Sequence, residues 1–75
     1  MDAINEAFRN HQEEMGVPVI DADLSVLTDR NREILRLRFE EKLTLAAIGE
    51  KYGLGGERVR QIVVSSFRKM HWSKR

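Results

Sequence analysis

The 75-residue chain contains no cysteine, which excludes a disulfide framework and any thiolate metal site. Its two histidines, His11 and His71, stand far apart without ligand-type neighbours, so neither a metal centre nor a histidine-based active site is expected. Nucleophile–base pairs, paired carboxylates and a glycine-rich phosphate loop after a strand are all missing; the chain is expected to be no enzyme and to use no cofactor. No apolar run is long enough to span a membrane, and the N-terminus lacks the basic-then-apolar pattern of a signal peptide. Internal repeats and low-complexity segments are absent too. The expectation is one small cytoplasmic domain, near the lower limit for folding without staples, with no membrane and no small-molecule substrate among its partners.

What the chain does have is unevenly placed charge. The net charge is only +1, yet residues 1–27 hold one basic residue, Arg9, against six acidic ones, a net of −5. Residues 28–75 hold twelve basic against six acidic residues, a net of +6. An acidic head on a basic body is what a polyanion-binding domain with a separate N-terminal element would show, although a solvated helix surface gives the same sums.

Apolar periodicity is helical throughout. Ile4, Ala7, Phe8, His11 and Met15 form a stripe along residues 2–15, with Asp2 placed to cap the helix. The stripe suits packing on the body, or docking of a partner helix from a separate regulatory protein. Pro18 stops that helix and holds Val17 extended, so residues 16–21 read as a linker or short arm. Ala22 to Leu27 suits a short helical turn with Leu24 and Leu27 inward. Thr28 caps a helix predicted over about Asp29–Glu41, with Ile34, Leu35, Leu37 and Phe39 inward and Arg30, Arg32, Glu33, Arg36 and Glu40 outward.

The densest pattern runs from Leu45 to Met70. Thr44 caps a helix with Leu45, Ile48 and Tyr52 on one face, and Gly49 is small enough for a second helix to approach closely. Gly53 ends the helix in the left-handed region and Leu54 plugs the turn. The second helix then buries Val59, Ile62, Val63, Phe67 and Met70 at i, i+3, i+4 spacing and leaves Glu57, Arg58, Arg60, Gln61 and Ser65 open. Two such helices, the second with a polar, arginine-bearing first turn, make a helix-turn-helix, whose second helix enters the DNA major groove. The tail from His71 to Arg75 reads as frayed, and Trp72 as either folded back on the core or an exposed apolar contact.

Three stretches carry a family resemblance: Leu27-Thr28-Asp29-Arg30-Asn31-Arg32-Glu33-Ile34-Leu35, then Leu37-Arg38-Phe39, then Glu57-Arg58-Val59-Arg60-Gln61-Ile62 followed by Phe67-Arg68-Lys69-Met70. Together they resemble region four of the bacterial sigma factors, the promoter-reading domain of the transcription initiation subunit. The short link from Phe39 to Thr44 is more similar to alternative than to primary sigma factors. The resemblance implies an all-α fold: a helix-turn-helix domain of sigma region-four type over residues 22–75, with an extra acidic amphipathic helix over 1–15. It also implies two partners, double-stranded promoter DNA with a minus-35-like element and the beta flap of RNA polymerase core. Carried over position by position, Glu57, Arg60 and Gln61 match base-reading residues and Arg58 a backbone contact. Arg30 and Arg38 match phosphate-gripping arginines, and Thr44 joins this DNA-contacting set at the start of the helix pair. Leu35, Phe39, Phe67, Met70 and Trp72 are the candidates for gripping the flap. Arg bidentate to guanine, Gln to adenine and Glu to the cytosine amine are chemically apt.

Two departures from the family pattern stand out. Gly55-Gly56 replaces the usual hydroxyl residue and arginine ahead of Glu57, which predicts weaker or altered DNA reading. The length leaves no room for the separate domain with which sigma factors hold polymerase and melt DNA. The expectation is therefore a free-standing module, either half of a split sigma factor or a phage- or plasmid-type protein that takes a resident factor's place. Two alternatives stay open. One is a DNA-binding regulator similar to response-regulator output domains, which share the leucine-threonine-x-arginine start but lack Glu-Arg-x-Arg-Gln-Ile. The other is a polymerase-binding protein that has lost much of its DNA reading.

Overall fold

The computed structural model describes residues 2–73. Four α-helices follow one another: α1 (Asp2–Met15), α2 (Asp29–Leu35), α3 (Leu45–Tyr52) and α4 (Gly56–Trp72), with a 3₁₀ turn at Leu24–Val26 and a π turn at Arg36–Glu40 continuing α2. The fold is all-α, as expected, and no helix among the described residues is long and apolar enough to cross a membrane.

Local chemistry starts each element. Thr28 accepts from the Asn31 amide at 3.2 Å to cap α2, and Thr44 accepts from the Ala47 amide at 3.0 Å to cap α3. Asp23 caps the 3₁₀ turn by accepting from the Ser25 amide at 3.1 Å. The side chain of Asp2, the expected cap of α1, lies outside the described residues.

The helix predicted over Asp29–Glu41 changes character halfway. The Glu41 amide reaches back five residues to the Arg36 carbonyl at 3.1 Å, and the Leu43 amide reaches the Leu37 carbonyl at 3.0 Å. This wider turn, closed by Lys42 at φ +60°, ends the helix and turns the chain toward α3. Arg38 donates from Nη1 to the Leu43 carbonyl at 2.9 Å and so braces the same exit.

α3 packs at Gly49 against the turn that leads into α4. A Cβ there would lie 2.3 Å from the Leu54 carbonyl oxygen, a backbone atom that cannot step aside. The Leu54 amide bonds the Gly49 carbonyl at 2.7 Å, and Gly53 supplies the left-handed turn at φ +69°. Ile48, Val59, Ile62 and Val63 share one core with Leu27, Ile34, Leu35, Leu37, Phe67 and Met70.

The N-terminal helix joins that core. Its buried row is Ile4, Phe8 and Gln12, at 1%, 0% and 0% exposure. This differs from the predicted stripe: His11 is half-buried and Met15 is 52% exposed. A row at i, i+4, i+8 puts Gln12 inward, and its amide is fully used. Nε2 donates to the carbonyls of Phe8 and Ile20 at 3.2 and 3.0 Å, while Oε1 accepts from the Ile20 amide at 3.1 Å. The Ala22 amide donates to Asn5 Oδ1 at 2.9 Å. Residues 16–21 are thus an arm fastened to α1. The expected fraying at the C-terminus also needs correction. α4 is helical through Trp72, and the buried His71 donates from Nε2 to the Pro18 carbonyl at 2.9 Å, which ties the helix end to the arm. Lys74 and Arg75 lie outside the described residues.

Two predictions follow from this packing. Gly49→Ala should destabilise the fold by about 2 kcal/mol, because overpacking a close backbone approach costs of that order. Thermal unfolding followed by circular dichroism should show a fall in Tm of roughly 10 °C for a domain of this size. The second concerns His11, whose pKa is lowered from 6.5, first by burial and then by Arg68, against a raising effect of Glu14 and a further lowering by His71. The folded chain therefore holds the His11 proton less tightly than the unfolded chain. This contribution to stability is intact above about pH 6.5 and is lost as pH falls below it. Melts between about pH 7.5 and 5.5 should show a declining Tm, with a shallower decline for His11→Gln.

Candidate nucleic-acid interface

The first turns of α4 carry the open polar face. Gly55 caps the helix with extended backbone at φ −76°, ψ 158° and no side-chain bond. A Cβ on Gly56 would stand 3.6 Å from the Ala46 amide nitrogen and 3.7 Å from the Leu45 Cβ, so the start of α4 lies against the start of α3. Two helix N-termini are thereby brought side by side, an arrangement suited to phosphate.

Arg58, Arg60 and Gln61 are exposed and line one shallow open concavity with Val64, Ser65 and Arg68. Glu57 grips Arg60 one turn on: Nη2 reaches Oε2 at 2.5 Å and Nε reaches Oε1 at 3.0 Å. The hydrogen bond that Arg60 donates lowers the Glu57 pKa, and the same bond raises that of Arg60. Both groups are therefore ionised near neutral pH, and the pair holds one edge of the guanidinium. A base or phosphate claiming that edge must compete with Glu57.

The remaining predicted DNA contacts are placed less uniformly. Thr44 is exposed at the start of α3, with its hydroxyl oxygen accepting the capping bond. Arg38 is half-buried, its guanidinium on the carbonyl of Leu43, next to Thr44 in the chain. That makes Arg38 a brace for the α3 entry as well as a cation beside it. Arg30 is exposed in the first turn of α2, its Nε against Asn31 Oδ1 at 3.4 Å. Sequence reasoning left Arg68 and Val64 out of this face. Arg58, Gln61, Ser65 and Arg68 follow i, i+3, i+7, i+10, and that spacing was the available signal.

The predicted polymerase-gripping set divides by burial. Leu35, Phe67 and Met70 are core residues at 0%, 5% and 0% exposure, so they present no open surface in this conformation. They share that core with Ile4 and Phe8 of α1. Phe39 is half-buried, and Trp72 is exposed with an edge-on contact to the His71 ring at 4.8 Å.

Such an arrangement defines a helix-turn-helix domain with an extra N-terminal helix. The family described as sigma-70, region 4 matches residues 24–71. The RNA polymerase sigma factor RpoS of Coxiella burnetii (strain RSA 493 / Nine Mile phase I) is 42% identical over 55 residues, covering 68% of this chain and 16% of that protein. No solved structure matches significantly. The chain belongs to the sigma-70 region 4 family, a sigma-like, DNA-binding domain of transcription. It spans about a sixth of the length of the sigma factor it matches.

Gly56 leaves the polar face of α4 without a side chain, and space for one exists there, at ordinary contact distances from α3. Gly56→Arg should fold normally and bind a minus-35-like duplex several-fold more tightly. One added phosphate contact should steepen the dependence of log K on log salt by about 0.9. Fluorescence anisotropy across a salt series reads both quantities.

Proposed function

We propose that this protein is a sigma region-four module that binds minus-35-like promoter DNA through the first turns of α4 and docks on the beta flap of RNA polymerase. It acts either as half of a split sigma factor or as a regulator of phage or plasmid type that takes a resident factor's place. The observation that carries this reading is the joint presentation of Arg58, Arg60 and Gln61 on one exposed concave face beside the paired starts of α3 and α4. Arginine and glutamine at a helix start in the major groove can read guanine and adenine edges, while the helix N-termini and flanking arginines meet phosphates. Phe39 and Trp72 are the accessible part of the polymerase-docking set. Affinity for isolated duplex should be modest and strongly salt-dependent, because few phosphates are neutralised.

A second reading, a polymerase-binding protein with reduced DNA reading, is favoured by Gly55-Gly56 alone, since these residues offer neither a hydroxyl cap nor a base-reading side chain. Two measurements separate the readings. Arg60→Ala and Gln61→Ala should each weaken duplex binding by about 1–3 kcal/mol, mostly at the base pair that each reads. Purified core polymerase should be captured by the wild-type protein and lost when the flap is deleted. Duplex binding without flap-dependent capture would remove the sigma-like role; capture without measurable duplex binding would select the second reading.

A further inference from the structure

The span matched to the family begins at residue 24, so α1 and its arm are an addition to the region-four body. What they cover is narrow and apolar. The Phe67 ring lies 5.5 Å from Phe8, 5.2 Å from His11 and 5.7 Å from Phe39, and so joins α1 to α4 and to the π turn. A hollow beside it is lined by Met15, His11, Gln12 and Trp72. Phe39, Phe67 and Trp72 are three of the side chains to which polymerase docking was assigned. α1 therefore sits, as an amphipathic helix with Ile4 and Phe8 as anchors, where the proposed function seats a polymerase element.

The hydrogen bonds around α1 show how it is held. Gln12 bonds Phe8 and Ile20, and Asn5 bonds Ala22. All of these lie within residues 5–22, so helix and arm can leave the body together with those polar groups still satisfied. Toward the body the contacts are rings and aliphatic side chains, with the His71–Pro18 bond as a tie. An apolar seam between two units, each keeping its own hydrogen bonds, has the character of a helix-in-groove interface.

We infer that α1 is an exchangeable intramolecular ligand. It fills a helix-binding slot floored by Phe39 and Phe67, and an amphipathic helix of RNA polymerase, bearing two apolar anchors four residues apart, displaces it. The inference rests on the polymerase-docking reading above. While α1 holds the slot, only the open fraction of molecules is competent, and the apparent affinity for polymerase is reduced by that fraction.

The test uses the full chain with purified core polymerase. Capture affinity is measured for wild type, Phe8→Ala and Phe8→Leu, and amide hydrogen exchange of α1 is followed with and without polymerase. The α1 amides should lose protection on binding, and the folded variants should bind more tightly than wild type, Phe8→Ala by about tenfold, while melting at lower temperature. Phe8→Leu decides where Phe8→Ala fails to fold, because it keeps an apolar anchor and loses only the ring contact with Phe67. An α1 that stays protected in the complex, or folded variants that bind no tighter, would overturn the inference and leave polymerase docking standing. If wild type and variants all fail to bind while duplex binding persists, the docking reading itself falls, and the exchange with it.

Discussion

The close approach of α3, at Gly49, to the turn into α4 is the constraint on which the rest of the structure depends. The Leu54 carbonyl occupies the space a β-carbon would fill, and the Leu54 amide closes back on the Gly49 carbonyl at 2.7 Å. With the two backbones this near, Ile48 meets Val59 and Ile62 in the core, and the face of α4 opposite those residues is turned outward. The side chains exposed at the start of α4 are then Glu57, Arg58, Arg60 and Gln61. The exposed polar face is the consequence of a packing geometry set by one residue without a side chain.

The second hub is Phe67. Its ring meets Phe39 of the π turn and both Phe8 and His11 of α1, and Gln12 fastens the returning arm. Covering these rings adds apolar burial to a small core, where each buried aromatic side chain contributes on the order of 2–3 kcal/mol. The same coverage removes the domain's most apolar surface from view. Stability of the free chain and access to that surface are therefore set against each other by a single helix.

The helix-turn-helix was legible in the sequence because its determinants are local. Thr44 caps, Gly49 and Gly53 mark the close approach and the turn, and the apolar row from Val59 to Met70 keeps a helical period. The polar residues at the start of α4 could be assigned to the open face for the same reason. What escaped the reading was long-range or conformational. Gln12 looks like a solvent residue until Ile20, eight positions on, supplies both a donor and an acceptor. His71 looks like tail until Pro18, 53 positions away, offers a carbonyl. The π turn at Arg36–Glu40 has no composition signal, and its closing residue is Lys42 in the left-handed region, where glycine would have announced it. Periodicity placed Leu35, Phe67 and Met70 inward, but did not state that Phe8 and His11 of α1 would meet Phe67.

α4 carries both proposed activities on one rigid rod. Arg60 near its start and Trp72 at its end are separated by roughly 18 Å along the axis at 1.5 Å per residue, enough to keep a duplex and a polymerase helix from colliding. Between them stands Arg68, which borders the concavity with Arg58 and Ser65 and also the hollow with Met15 and Trp72. Its charge also contributes to the lowered pKa of His11 on α1. α1 meanwhile keeps Glu6, Glu13 and Glu14 exposed on the side away from Ile4 and Phe8. The acidic head is thus seated by its apolar face beside the end of a helix whose other end carries the exposed Arg58, Arg60 and Gln61. Displacing that head would remove carboxylates from the neighbourhood of Arg68 and leave the basic character of the body less opposed. Docking of a partner at one end of α4 and attraction of DNA toward the other would then favour each other through electrostatics, without any change in the helix between them.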